Sequence, residues 1–319
     1  MEKSGTWMRR LAALLLAVIL CCAPVLAAQE YLIPGGYTVG IELAMQGILI
    51  VDVEEGTCAA EAGLKKGDTI LKINGKTAAG ADSLRAAAAE EQARLTVLRD
   101  GKEAEFLVLP GESGRLGLLV RDSIAGIGTV TYADPATGCY GALGHGVNDI
   151  GTARLLTVGG GRLVPSCVKS VRRGVRGTPG ELQGTFEIGG CIGMVERNTE
   201  RGIFGRLTEL PRTPALPVGG AETVQEGEAS ILSNVSGTEV REYTICIDRV
   251  DADAENGRNL LLTVTDPELL AATGGIVQGM SGSPILQNGR LIGAVTHVLV
   301  NHPEQGYGIL IENMLDAAA

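Results

Sequence analysis

Glycine punctuates this chain, at 46 of 319 positions and without a triplet period. Residues so spaced favour short strands joined by tight turns over long helices. From Leu116 onward the apolar residues fall into such pieces. Glu228 to Leu232, Val240 to Val250 and Leu260 to Thr265 alternate or run apolar over strand-like lengths. Roughly 200 residues of this pattern predict a β-barrel or sandwich. The Gly159-Gly160-Gly161 run is read as a turn, because no Gly-Lys-Ser/Thr follows to make a phosphate loop.

The N-terminus differs from the rest. Lys3, Arg9 and Arg10 precede an apolar run from Leu11 to Ala23, followed by the small-residue exit Val25-Leu26-Ala27-Ala28. A basic start, an apolar stretch and a small-residue exit make a secretory signal. Counted on to Ala28, the run would form ~27 Å of helix, enough to stay as an anchor. Residues 1–28 are therefore expected to be a signal peptide or membrane-anchor helix, and the chain to be exported. The net charge of −10 excludes a nucleic-acid partner held by a basic surface. Beyond the signal lie Cys58, Cys139, Cys167, Cys191 and Cys246, an odd number with no C-x-x-C spacing, so neither a disulfide scaffold nor a zinc framework is read.

Between Tyr31 and Leu109 short strands surround one or two helices. Gly47 to Val53 is β-rich, Ala59 to Leu64 is a short helix, and Asp68 to Ile73 is a strand turned by Asn74-Gly75. Asp82 to Ala93 is an alanine-rich helix with Asp82 placed to cap it. Leu95 to Leu98 and Glu103 to Leu109 pair across Asp100-Gly101, a strong hairpin signal. Pro110 to Gly114 is a break in composition and sets a domain boundary, giving 29–110 and 111–319. The run from Glu61-Ala62-Gly63-Leu64 through Gly67-Asp68-Thr69-Ile70 to Ile73-Asn74-Gly75 resembles a PDZ domain (α+β). That resemblance implies a groove taking a peptide or chain end as an extra strand. Gly35, Gly36, Val39, Gly40 and Ile41 occupy the corresponding loop and strand.

The segment Gly279-Met280-Ser281-Gly282-Ser283-Pro284 resembles the nucleophile loop of chymotrypsin-like serine proteases. Glycines there let the amides of Gly279 and Ser281 converge into an oxyanion hole. A serine nucleophile needs a base, and the chain has three histidines. His145, between Gly144 and Gly146, precedes Ser281 by 136 residues, in chymotrypsin-like order. His297 follows Ser281 by 16 residues, where such enzymes place a substrate-binding strand, here Val295, Thr296 and His297. It lines the cleft or is structural, and His302 receives no role. Asp266 and Asp149 compete as the third member, and spacing does not decide between them. Asp266 is also placed to cap a helix starting at Pro267.

A PDZ-like segment combined with Ala142-Leu143-Gly144-His145, Thr265-Asp266-Pro267, Gly274 to Ile285 and Gly293 to Val298 resembles the SpoIVB peptidase family, stage IV sporulation proteins of endospore-forming Firmicutes. The resemblance runs nearly the whole chain. It implies a mainly β fold with a C-terminal chymotrypsin-like β-barrel serine peptidase domain. It assigns Ser281 as nucleophile, His145 as general base and Asp266 as orienting acid, with no cofactor or metal. It further implies self-cleavage and cleavage of a membrane-bound regulatory protein in the forespore intermembrane space, which releases sigma-K precursor processing. Two other readings stand beside it: an inactive PDZ adaptor that would not react with a serine-directed phosphonate, and a cysteine hydrolase using Cys191, which has no matched base.

Overall fold

The structure, a computed structural model, describes residues 30–110, 114–148, 155–187 and 189–319. The helix expected over residues 1–28 lies outside them. Tyr31 to Ala319 form one compact unit, and among the described residues no helix is long and apolar enough to cross a membrane.

The chain enters through β1 (Tyr31–Pro34) and β2 (Thr38–Val53). In β2 the buried apolar residues are first Val39, Ile41 and Leu43, then Ile48 and Ile50. The alternation slips by one residue at an irregularity between Ala44 and Leu49. Gly47 sits there at φ +98, and a Cβ on it would lie 2.6 Å from the Ile70 carbonyl oxygen. Such a bulge re-aims a strand, so the two halves of β2 serve two different cores.

The second half opens the PDZ-like part: α1 (Cys58–Glu61), β3 (Thr69–Ile73), β4 (Lys76–Thr77), α2 (Ala81–Ala88), β5 (Ala93–Arg99) and β6 (Lys102–Val108). Ile48, Ile50, Leu64, Ile70, Leu84 and Leu95 share its core. Asp68, almost wholly buried, is held by Arg99 through Nη2 at 2.6 Å and Nε at 2.7 Å. The β5–β6 hairpin turns at Asp100 and Gly101, both at positive φ, as the Asp-Gly signal predicts. Asp82 does not cap α2. Gly80 is the cap residue, and Asp122 accepts from the Ala81 amide at 2.7 Å. That hydrogen bond holds the Asp122 carboxyl below its ordinary pKa.

The chain then runs through β7 (Leu118–Ala133), β8 (Cys139–Ala142), β9 (Val158–Arg172), β10 (Glu181–Phe186), β11 (Gly193–Thr199), β12 (Gly202–Leu207) and β13 (Leu216–Pro217). Pairings β2–β7–β8–β12–β11–β9–β2 close a ring of six strands, the first barrel. Val39, Ile41, Val130, Tyr140, Leu163 and Ile203 fill it. The boundary read at Pro110–Gly114 therefore does not divide the sheets. Both β2 and β7 start or end in the PDZ-like part and continue into the barrel, so that part is spliced into the barrel between them.

A second closed barrel is built from β14 (Gly227–Ser233), β15 (Arg241–Val250), β16 (Leu260–Val264), β17 (Pro284–Gln287), β18 (Arg290–Leu299) and β19 (His302–Leu310). Helix α3 (Pro267–Thr273) precedes the Ser281 loop, and α4 (Ile311–Ala318) buries Ile311 and Met314. Two antiparallel barrels with the Ser281 loop where they meet fulfil the mainly β expectation.

Candidate active site

Ser281 and His145 come from different barrels and line one cavity of about 560 Å³. Gly279 (φ +100) and Gly282 (φ +96) bend the loop that carries the serine, conformations that side chains rarely adopt. A Cβ on Gly282 would sit 2.1 Å from the Thr129 carbonyl oxygen. The first barrel grips this loop through β7. The Thr129 amide donates to the Ser281 carbonyl at 3.1 Å, its hydroxyl to Gly279 O at 2.7 Å, and the Thr131 hydroxyl to Gly282 O at 2.8 Å. The second barrel grips it through β18, where Gly282 N donates to Val295 O and Val295 N to Ser283 O. Among the described residues, the amides of Gly279 and Ser281 have no acceptor, so both are free to receive an oxyanion.

His145 follows a sharp turn. Leu143 is at φ +70, uncommon for a residue with a side chain, and Gly144 is at φ +68. A backbone held in that region costs on the order of 1–3 kcal/mol and persists only where the surroundings impose it. Here Leu143 is buried, and its amide donates to Thr129 O at 3.2 Å. The turn brings the imidazole into the cavity, where Nδ1 lies 2.9 Å from the Gly146 carbonyl oxygen. A carbonyl only accepts, so Nδ1 carries the proton and Nε2 is left basic. Burial lowers the His145 pKa below its ordinary value, against the smaller raising effect of that hydrogen bond.

His297 enters the same cavity, its ring 4.9 Å from that of His145 and tilted by 39°. Burial, then His145 and Arg258, lower its pKa to about 4. Outside the cavity the residue is exposed to solvent. The Ser281 hydroxyl donates to Thr296 O at 2.7 Å. Of the strand Val295–Thr296–His297, the latter two line the cavity, while Val295 is fully buried and bonded to the Ser281 loop.

Asp266 is not brought to His145. Its Oδ1 accepts from Glu268 N and Leu269 N, both at 2.9 Å, and Oδ2 from Thr244 N at 3.4 Å. It caps α3, with Pro267 at the first helical position. Asp149 lies outside the described residues. No carboxylate among the described residues lines the cavity. His302 is exposed beside Glu304, and Cys191 is exposed with Gly193 O and Met194 about its sulfur and no histidine. Among the described residues no three metal-ligating side chains cluster.

The residues Gly35 to Ile41 do not form a PDZ groove, and Ile41 lines the Ser281 cavity instead. Val39 to Ala44 pairs with β7 along one edge and β9 along the other, which leaves no edge for an added strand. Val39 is fully buried, and a Cβ on Gly35 would overlap Val130 O at 2.1 Å. One open cavity of the PDZ-like part runs between α2 (Leu84, Arg85, Ala88) and Leu116 to Val120, the segment leading into β7. Thr129, Thr131 and Leu143 were not legible as site residues, because no motif marks a strand that supports a loop 150 residues away.

Two β-barrels, a serine in a glycine-shaped loop with two free amides and a histidine across the cleft define a serine peptidase carrying a PDZ domain. Family models agree with that class: residues 112–315 match SpoIVB peptidase S55, and residues 35–109 match the PDZ domain. The chain belongs to the SpoIVB peptidase S55 family. Among solved structures it is similar to the Rv3671c protease of M. tuberculosis in its active form, with 14% identity, TM-score 0.36, and coverage of 61% of this chain and 73% of that one. A serine-to-alanine mutant of that protease, in the inactive form, gives 14% identity, TM-score 0.32 and coverage of 60% and 81%. No curated protein matches the chain.

Proposed function

We propose that this protein is an exported serine endopeptidase in which Ser281 is the nucleophile and His145 the general base. One observation carries the reading: Ser281, His145 and Gly279 line one cavity, and the amides of Gly279 and Ser281 have no acceptor among the described residues. In this reading the Ser281 hydroxyl leaves the Thr296 carbonyl and donates to His145 Nε2. The imidazole takes the hydroxyl proton as Oγ attacks the scissile carbonyl. The two amides hold the oxyanion, each such donor being worth ~2.7–4 kcal/mol in the transition state. His145 then protonates the leaving amine, and water, activated in the same way, releases the acyl-enzyme. The Gly146 carbonyl at Nδ1 performs the tautomer-fixing part of an orienting acid.

Membership of the family and the signal-like N-terminus support export and a membrane-associated regulatory protein as substrate, with sigma-K precursor processing downstream and self-cleavage alongside. The PDZ match supports a protein or peptide partner. The test is intact mass over hours for the full chain and Ser281→Ala, paired with a serine-directed phosphonate. Self-cleavage or labelling confined to the wild type is expected; labelling of Ser281→Ala would overturn the assignment.

A further inference from the structure

We infer that His297 is a positioning residue for the reaction: its ring lies against the His145 imidazole as a cover that keeps water from the base. The inference rests on His145 being the general base. His145 follows β8 of the first barrel and His297 lies in β18 of the second, yet their rings meet at 4.9 Å between centroids with a 39° tilt. His145 is half-buried, whereas His297 is exposed outside the cavity. On this side the His297 ring is what separates the base from solvent.

An irregularity in β18 delivers that ring. Side chains of a regular strand alternate between its two faces, but Thr296, His297 and Val298 line the cavity in succession. The register against β19 steps from Val295–Gly308 to His297–Tyr307, which makes Thr296 the extra residue of a bulge. Bulges beside active sites re-aim side chains in this way. The bulged residue also turns its carbonyl to Ser281 Oγ, and its hydroxyl donates to Tyr307 O at 3.1 Å. Gly306 lets β19 pass close by, since a Cβ there would lie 2.6 Å from the His297 carbonyl oxygen.

The electrostatics suit a cover and not a second charge. In the described lining of the cavity the two histidines are the side chains that change charge between pH 4 and 8. The turn between β11 and β12 meets the His145 segment through the Glu200 carbonyl, which accepts from Gly146 N at 3.2 Å. No charged group among the described residues shifts the His145 pKa; burial does. Burial, His145 and then Arg258, whose guanidinium lies over the Tyr307 ring at 5.0 Å, keep His297 neutral down to a pH of about 4. A neutral ring excludes water from the imidazole without opposing, by like charge, the proton that His145 takes from Ser281. Desolvation disfavours the imidazolium, so the base stays available below its ordinary range.

The test is the pH dependence of labelling by a simple alkyl fluorophosphonate, which needs no peptide contact, on the full chain and its His297 variants. An uncovered histidine of ordinary pKa, ~6.5, leaves about one-tenth of the plateau rate at pH 5.5. His297→Ala should show that tenfold loss between pH 8 and pH 5.5. Wild type and His297→Phe, whose ring restores an apolar cover, should lose about threefold or less. A purely structural role would lower labelling at every pH and leave the ratio of the two rates unmoved. A wild-type ratio in His297→Ala, or a loss in His297→Phe as large as in His297→Ala, overturns the inference. Should His297→Ala fail to fold, His297→Ser, which also uncovers the base, gives the same reading. Labelling that survives His145→Ala but not His297→Phe would make His297 the base and overturn the His145 assignment itself, a distinct outcome.

Discussion

The amide of Thr129 donates to the carbonyl of Ser281 across 3.1 Å, joining a strand of the first barrel to the serine loop of the second. The fully buried Thr129 side chain adds a bond from its hydroxyl to Gly279 O, one residue from the nucleophile's neighbour. The loop geometry is thus fixed from outside as well as by its own glycines.

Thr129→Val keeps the shape and removes the hydroxyl, leaving Gly279 O short of a donor. An unsatisfied buried group costs about 1–3 kcal/mol. The expected result is a fall in phosphonate labelling together with a lower unfolding midpoint, with Thr129→Ser recovering both. Labelling at the wild-type rate in Thr129→Val would show that the loop keeps its geometry unaided.

Asp266→Ala is expected to cost ~1 kcal/mol in stability, the typical loss of an N-cap, while Ser281 still labels. Removing a triad aspartate instead costs about 10⁴ in rate. Denaturant melts and labelling kinetics on the same sample separate the two roles, and Asp266→Asn, which still caps, should stay near wild-type stability.

Activity should fall on the acid side only below the usual imidazole range. Burial lowers the His145 pKa, so the base stays neutral down past pH ~6.5. Stability carries the same sign. With the folded pKa lowered for His145 and His297, the unfolded chain takes up protons first as the pH drops below ~6.5, and stability is lost through the folded values, about 4 for His297. Labelling rates and melts between pH 4 and 8, scanned together, check both; a labelling pKa well above 6.5 would contradict the burial argument.

Gly282→Ala should abolish labelling. Its φ of +96 strains any side chain by roughly 1–3 kcal/mol, and the added Cβ would overlap Thr129 O at 2.1 Å and Leu143 N at 2.6 Å. A folded, reactive Gly282→Ala would show that the loop can shift without losing its function.

Much of this was legible in local chemistry. The Asp100-Gly101 hairpin, the glycines around Ser281 and the glycine-flanked His145 are short-range features, where φ preference and turn type act within a few residues. The capping alternative for Asp266 was legible too, since Asp-Pro at a helix start is a local pattern. Partner choice was not. The apolar alternation of Val39, Ile41 and Leu43 fixes which face of a strand is buried, but not which strands flank it, and both edges of that segment went to β7 and β9 rather than to a peptide.

By itself the sequence determined the short-stranded β architecture, the turns and the residue types able to do acyl-transfer chemistry, because backbone freedom and periodicity are set within a few residues. Only the tertiary structure decided that β2 and β7 run through both parts, that Thr129 holds the serine loop, and that Gly146 O rather than Asp266 meets His145. Each of these is a pairing between groups far apart in the chain, chosen when whole sheets close and bury their edges, and no local pattern encodes which edge a strand will find.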